Sequence, residues 1–257
     1  MAQKTSDYWT ERLTTNQYKK HTKIMEKEIL KVYKQANASI LNVIRQIWLE
    51  MLTDGEISIS SLNNKNRLGK IQETINKELY KLGVAEIEIL NTYLTEGYLQ
   101  TLSEATTELG GTLDTSYAQF NKEAINSIVN ANFKGATWSD RIWINQDKLR
   151  ELLKQNVIDS AILGKDVRKV SKDLSRRMEV SLSDSKRIVR SETMRVLNDG
   201  CINAAKERGY TKVEWLAEKD ERLCDECRSM NGKIFPIEQA PRILHPNCRC
   251  TVLPVVE

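Results

Sequence analysis

Four of the chain's five cysteines and one of its two histidines fall in one window near the C-terminus. The window runs Cys224-x-x-Cys227, then Asn231-Gly232-Lys233, then His245-Pro246-Asn247-Cys248-Arg249-Cys250. Soft thiolates and an imidazole are the donors that a tetrahedral zinc site requires. The cysteines of the C-x-x-C chelate from one tight turn, and the His-x-x-Cys-x-Cys segment closes the loop from the other side. Around them the pattern is of very short strands: residues 211–217 alternate, 232–236 and 251–254 read as two more, and His245 sits in a loop. A sheet this small buries too little apolar surface to hold itself, and a bound metal would supply the missing free energy. Cys224, Cys227 and His245 are the first three ligands. Cys248 and Cys250 share one face of an extended backbone, four-coordination admits only one of them, and Cys250 is favoured. The competing reading, thiols packed together without metal, stays open because the Cys/His order departs from common finger and ribbon spacings.

Five is an odd number of cysteines, and the chain has no export signal: residues 1–7 lack an apolar h-region. Reduced thiols and metal are therefore favoured over a disulfide framework, in a chain made and folded in the cytosol. No apolar run approaches about 18 residues, so no membrane span is expected. Cys201, alone on a helix, reads as a buried small residue. His21, alone in a polar stretch, is expected at the surface.

The first 110 residues read as long helices. Over residues 23–52 apolar positions recur at Tyr33, Ile40, Ile44, Ile47 and Met51 until Asp54-Gly55 breaks the pattern. A second helix is expected over 65–82, with Leu68, Ile71, Ile75 and Leu79 on one face. A third, over 84–109, carries Ile87, Leu90, Leu94, Leu99 and Leu102 and ends at Gly110-Gly111. Apolar stripes of this kind pack on each other as a bundle or dock on a partner.

The middle of the chain changes character. Residues 138–143 read as a short irregular stretch, after which Asn145 caps a helix through Leu163 that Gly164 stops. A helix over 166–178 follows, and Ser183 or Asp184 caps a longer one reaching Gly209. This region holds the positive charge. Lys165, Arg168, Lys169, Lys172, Arg176, Arg177, Lys186, Arg187, Arg190 and Arg195 face only Asp166, Asp173, Glu179, Asp184 and Glu192, whereas the whole chain is +4. The first nine of these cations are the candidate contacts for nucleic-acid phosphate, without sequence preference. A solvated face, or pairing with an acidic protein surface, is the plainer alternative. No aromatic residue interleaves with them, so a stacking platform for single strands is not indicated.

Enzyme chemistry is not expected. Asp220, Asp225, Glu226 and Glu238 lie near the cysteines, but none forms a zinc-hydrolase motif such as H-E-x-x-H. Walker, dinucleotide-binding and nucleophile-elbow patterns are absent, and a closed four-ligand site would consume any Cys–His nucleophile pair.

Together, Trp215-Leu216-Ala217-x-x-Asp220-x-x-x-Cys224-x-x-Cys227, Asn231-Gly232-Lys233-Ile234-Phe235-Pro236 and His245-Pro246-Asn247-Cys248-Arg249-Cys250 resemble the signature of the phage head morphogenesis family. These are the minor head proteins of tailed bacteriophages, similar to protein F of phage Mu. Arg190-Ser191-Glu192-x-x-Arg195-x-x-Asn198 resembles the family's helix before the motif, and Trp138-x-x-Arg141 is a looser match. The resemblance covers about residues 135–254. It implies a non-enzymatic minor capsid protein acting at the portal vertex, with portal, major capsid or scaffold protein as partner. It also implies nonspecific contact with DNA, residence inside the head of the virion, and passage through the host cytoplasm during assembly. Neither a membrane nor a small-molecule substrate is expected. Some relatives fuse the domain to a toxin, often an ADP-ribosyltransferase; because the chain stops at Glu257, no such effector is expected here. The alternative is a zinc-stabilised, sequence-nonspecific nucleic-acid-binding protein.

The expected architecture is mainly α: a long-helix N-terminal region, a helical middle, and a small C-terminal α+β module of short strands clamped by zinc. Residues 1–134 would form the helical, partner-binding or bundle region. Residues 135–257 would form the minor-head-protein-like domain, with helices over 145–209 and the Cys/His module over 210–257.

Overall fold

The computed structural model describes residues 15–114, 116–218, 221 and 223–255. Residues 1–7, Asp220 and Glu257, which entered the sequence reading, lie outside them. In order the elements are α1 (Thr15–Thr53), a short α2 (Ile59–Asn63), α3 (Arg67–Glu108), two short helices α4 (Tyr117–Phe120) and α5 (Lys122–Val129), α6 (Trp138–Ile162), α7 (Val167–Glu207), β1 (Lys212–Leu216), α8 (Asp225–Met230), β2 (Ile234–Pro236) and β3 (Thr251–Pro254). The chain is mainly helical, with long N-terminal helices and a small C-terminal strand module.

Two compact units draw on residues from either side of position 134, where the sequence pattern changes. One is built from Leu90–Trp138, Arg187–Glu257 and the described part of Met1–Glu26; the other from Lys27–Ile89 and Ser139–Lys186. In the second, segments of α1, α3, α6 and α7 bury the expected Tyr33, Ile40, Ile44, Ile47, Met51, Ile71, Ile75 and Leu79. A polar cluster lies inside this core. The Tyr33 hydroxyl meets the Ser181 and Ser185 hydroxyls at 3.0 and 2.9 Å, and Gln146 Nε2 donates to Glu86 Oε2 at 2.6 Å.

Three helix boundaries differ from the sequence reading. α3 runs unbroken through Gly83, where two helices were expected, because this glycine is a notch rather than a stop. A Cβ there would lie 2.6 Å from the Trp143 ring. α7 likewise passes through Ser183 and Asp184 without a break, and the neighbouring Ser181 and Ser185 turn inward to Tyr33. α6 begins at Trp138, not after Asn145; residues 138–143 are helical rather than irregular, and the buried Trp138 indole donates to the Val129 carbonyl at 3.0 Å. The stop at Gly164 is as expected, with φ at +58° and Lys165 N donating to the Ser160 carbonyl at 2.9 Å.

In the other unit the three strands form an antiparallel sheet in the order β2-β1-β3, with Val213 opposite Phe235 and Trp215 opposite Val252. Val213 and Trp215 alternate inward along β1 and are buried. Cys201 is buried, as expected. His21 is not at the surface. Only 3% exposed, it lies on the inner face of α1 with Met25 one turn on, where Gly97 of α3 leaves room for the ring.

Candidate metal centre

The C-x-x-C sits on a helix start rather than a free turn. Cys224 caps α8, its Sγ accepting from the backbone N–H of Cys227 at 3.3 Å. One helical turn places both sulfurs on the same side. The His245 Nε2 lies 3.1 Å from the Cys224 Sγ and 3.1 Å from the Cys227 Sγ. Its Nδ1 is 2.8 Å from the Pro246 carbonyl, which can only accept, so the proton belongs on Nδ1 and the Nε2 lone pair faces the thiols. The Cys227 and Cys248 sulfurs are 3.7 Å apart. Two sulfurs each about 2.3 Å from one zinc, at a tetrahedral angle, would stand about 3.7 Å apart.

All five expected ligands are thus brought together, as two overlapping triads. Cys224, Cys227 and His245 form one and Cys227, Cys248 and Cys250 the other, with donor atoms within 4.8 Å of each other in each. Cys227, Cys248 and Cys250 are buried, Cys224 and His245 half-buried. The cluster can hold a metal ion. Its electrostatics alternate. The backbone N–H of Cys227 holds the Cys224 thiol below its ordinary range, and a hydrogen bond from the Cys250 thiol brings Cys248 down to about 5. Burial pushes Cys227 up, and donation to Cys248 pushes Cys250 up. For His245 burial acts downward, but the Pro246 carbonyl and the nearby thiolates outweigh it and raise the pKa. A metal taken up here would displace the remaining thiol protons, since the thiolate is the ligand.

The loop carrying His245, Cys248 and Cys250 is fastened by α7. Asn198 Nδ2 donates to the Arg242 and Cys250 carbonyls at 2.5 and 3.0 Å, and its Oδ1 accepts from Thr251 Oγ1 at 3.0 Å. Ser191 Oγ accepts from Asn247 N at 2.9 Å, and Asp199 accepts from Arg242 Nε at 2.8 Å. Arg195, counted with the positive charge, is buried. It binds Glu192 at 2.6 Å and Asp199 at 3.1 Å, and donates to the carbonyls of Ile128 and Val129. The Arg190-to-Asn198 motif therefore holds the ligand loop and the end of α5. Asp199, Arg242 and Thr251 share in this and were not singled out from the sequence. The sequence pointed there only through the resemblance of Arg190-Ser191-Glu192-x-x-Arg195-x-x-Asn198 to the family's helix before the motif.

Of the nine candidate phosphate contacts, Arg168, Lys169, Lys172, Arg176, Arg177 and Arg187 are exposed, and Lys165, Lys186 and Arg190 are half-buried. Lys165 pairs with Asp173 at 2.8 Å, Lys169 with Asp166 at 3.5 Å and Arg190 with Glu26 at 2.7 Å. Seven belong to one unit, and Arg187 and Arg190 to the other. Of the nearby carboxylates, Asp225 pairs with Arg228 and Glu238 with Lys206; neither they nor Glu226 is among the clustered metal donors.

A long-helix protein carrying a Cys/His strand module fastened to its last long helix defines the structural class. Residues 151–253 match the family model described as phage Mu protein F like protein. This span takes in the second half of α6, all of α7 and the Cys/His module up to Leu253. Over 90% of its length the chain is 24% identical to NAD(+)–arginine ADP-ribosyltransferase EFV of Enterococcus faecalis. The chain spans about half, 51%, of that protein. No solved structure matches. Among the described residues, no helix is long and apolar enough to cross a membrane.

Proposed function

We propose that the chain is a minor head protein of a tailed bacteriophage, non-enzymatic, acting in head morphogenesis at the portal vertex inside the head. The observation that carries this reading is that the family match covers α7 and the Cys/His module as one span, the same two elements that the Asn198 and Ser191 hydrogen bonds join. In this reading the module is a structural clamp holding zinc. The donor set is soft and the centre is mostly buried. We take Cys248 as the fourth ligand in place of Cys250, on its 3.7 Å edge to Cys227. Partners are the portal protein and the major capsid or scaffold protein, with nonspecific DNA contact through the exposed cations of α7.

Two measurements test it. Co-expression with the portal, scaffold and capsid proteins of the same genome should leave the chain bound to portal or procapsid; recovery free of all three would reject the head-protein reading. Elemental analysis should find about one zinc per chain, retained in Cys250→Ser and lost in Cys227→Ser and Cys248→Ser. A metal-free native protein would reject the clamp.

A further inference from the structure

A cleft of about 750 Å³ opens beside the Cys/His cluster and is lined entirely within the unit that holds it. Four cations from three separate segments line it: Lys19 and Lys23 of α1, Arg190 of α7, and Arg249 between two of the clustered cysteines. Two carboxylates, Glu26 and Glu218, stand against them, and Glu26 is taken up by Arg190 at 2.7 Å. Lys19 and Lys23 are exposed, one helical turn apart, and neither forms an ion pair among the described residues. Like charges at i and i+4 repel each other and weaken a helix slightly. A concave, low-dielectric wall focuses their field instead of dispersing it. With Glu26 engaged by Arg190, the four cations still outnumber the two lining carboxylates, and an anion seated in the cleft would relieve that excess. Two ammonium groups on one wall and two guanidinium groups on the others suit an oxyanion with several oxygens; arginine supplies paired N–H donors and lysine a point charge.

We infer that this cleft binds the phosphate of an anionic ligand, either a nucleic-acid backbone or a free phosphate compound. The site is separate from the exposed cations of residues 168–177, which belong to the other unit, and does not rest on the head-protein reading. The test uses the full chain with two probes at low salt: a labelled DNA duplex of about 30 base pairs by fluorescence anisotropy, and inorganic pyrophosphate by calorimetry. K19E/K23E should weaken at least one probe by about tenfold or more, with the salt slope for duplex falling by about two if its backbone is the ligand. K19R/K23R should bind as the unsubstituted chain does, and R176A/R177A should leave pyrophosphate binding unchanged. Weakening of duplex binding identifies a nucleic-acid backbone; weakening of pyrophosphate alone identifies a small phosphate compound. Unchanged binding of both probes by K19E/K23E would overturn the inference. So would failure of the unsubstituted chain to bind either probe, or equal loss in K19R/K23R.

Discussion

Glu86 is fully buried in the helical unit, and burial raises its pKa from 4.5 to about 7 despite hydrogen bonds from Ser185, Gln146 and Tyr33 that favour the ionised form. The sign of its effect on stability follows. Below about pH 4.5 both the folded and unfolded chains hold the proton. Between about pH 4.5 and 7 only the folded chain holds it, so the unfolded state gains from ionising and stability falls as pH rises. The loss accumulates to about 3 kcal/mol and levels off above about pH 7. Urea unfolding across this range, compared between the unsubstituted chain and Glu86→Gln, should find that component missing from the variant; identical pH profiles would mean the carboxyl titrates normally. Asn198 offers a second residue-scale test. It makes three hydrogen bonds that hold the ligand loop without touching a donor atom. Asn198→Ala should weaken zinc affinity by about tenfold to a hundredfold, the usual effect of losing an outer-shell partner. Competition with a chelating dye measures it, with circular dichroism confirming that α7 persists.

At the scale of elements, the apolar stripes of α1 and α3 and the Cys/His spacing could be read from sequence because each is local: a period of three or four residues, or donors a turn apart. The β1 strand was legible for the same reason, as Val213 and Trp215 alternate. What failed was decided by distant partners. Gly83 has the composition of a helix stop, and only the arrival of Trp143, sixty residues on, makes it a notch in an unbroken helix. Ser183-Asp184 looks like a cap, yet Tyr33 draws Ser181 and Ser185 into the core and the helix continues. His21 gave no local sign of burial, because the space it fills is made by Gly97. Gly200 carries the same lesson into a prediction. A Cβ there would meet Leu102 N, Tyr98 O and Thr101 Cβ, each at 3.1 Å, and two of these are backbone atoms that cannot easily yield. Alanine would ordinarily stabilise a helix interior by about 0.5–1 kcal/mol. Here overpacking of about 1–3 kcal/mol should outweigh that gain. Gly200→Ala should therefore lower the melting temperature, and an unchanged or raised value would mean α3 and α7 can separate at this point without loss.

At the scale of the whole molecule, the helical unit and the strand module differ in how much apolar core each buries. The helical unit buries Ile40, Ile44, Trp48, Ile75, Leu79, Leu149, Leu153 and Leu174, a core that holds no metal donor. The strand module offers far less: strands of five, three and four residues whose buried apolar side chains are few. Its loops bring the five clustered donors together and are joined to α7 by Asn198 and Ser191. If zinc supplies the module's stability, a strong chelator should unfold the module alone. Hydrogen exchange would then accelerate at β1 and β3, and Trp215 would lose the environment of its buried indole. Amides around Ile44 and Ile75 should keep their protection, and most of the helical circular dichroism should survive, because that core's burial free energy does not pass through the metal. Readding zinc should restore the strand amides. Protection at β1 and β3 that persists after the metal is gone would mean the sheet stands on its packing against α7, and the cysteines would then be a metal site on a self-sufficient fold. Simultaneous loss in both units would mean that they unfold as one cooperative block.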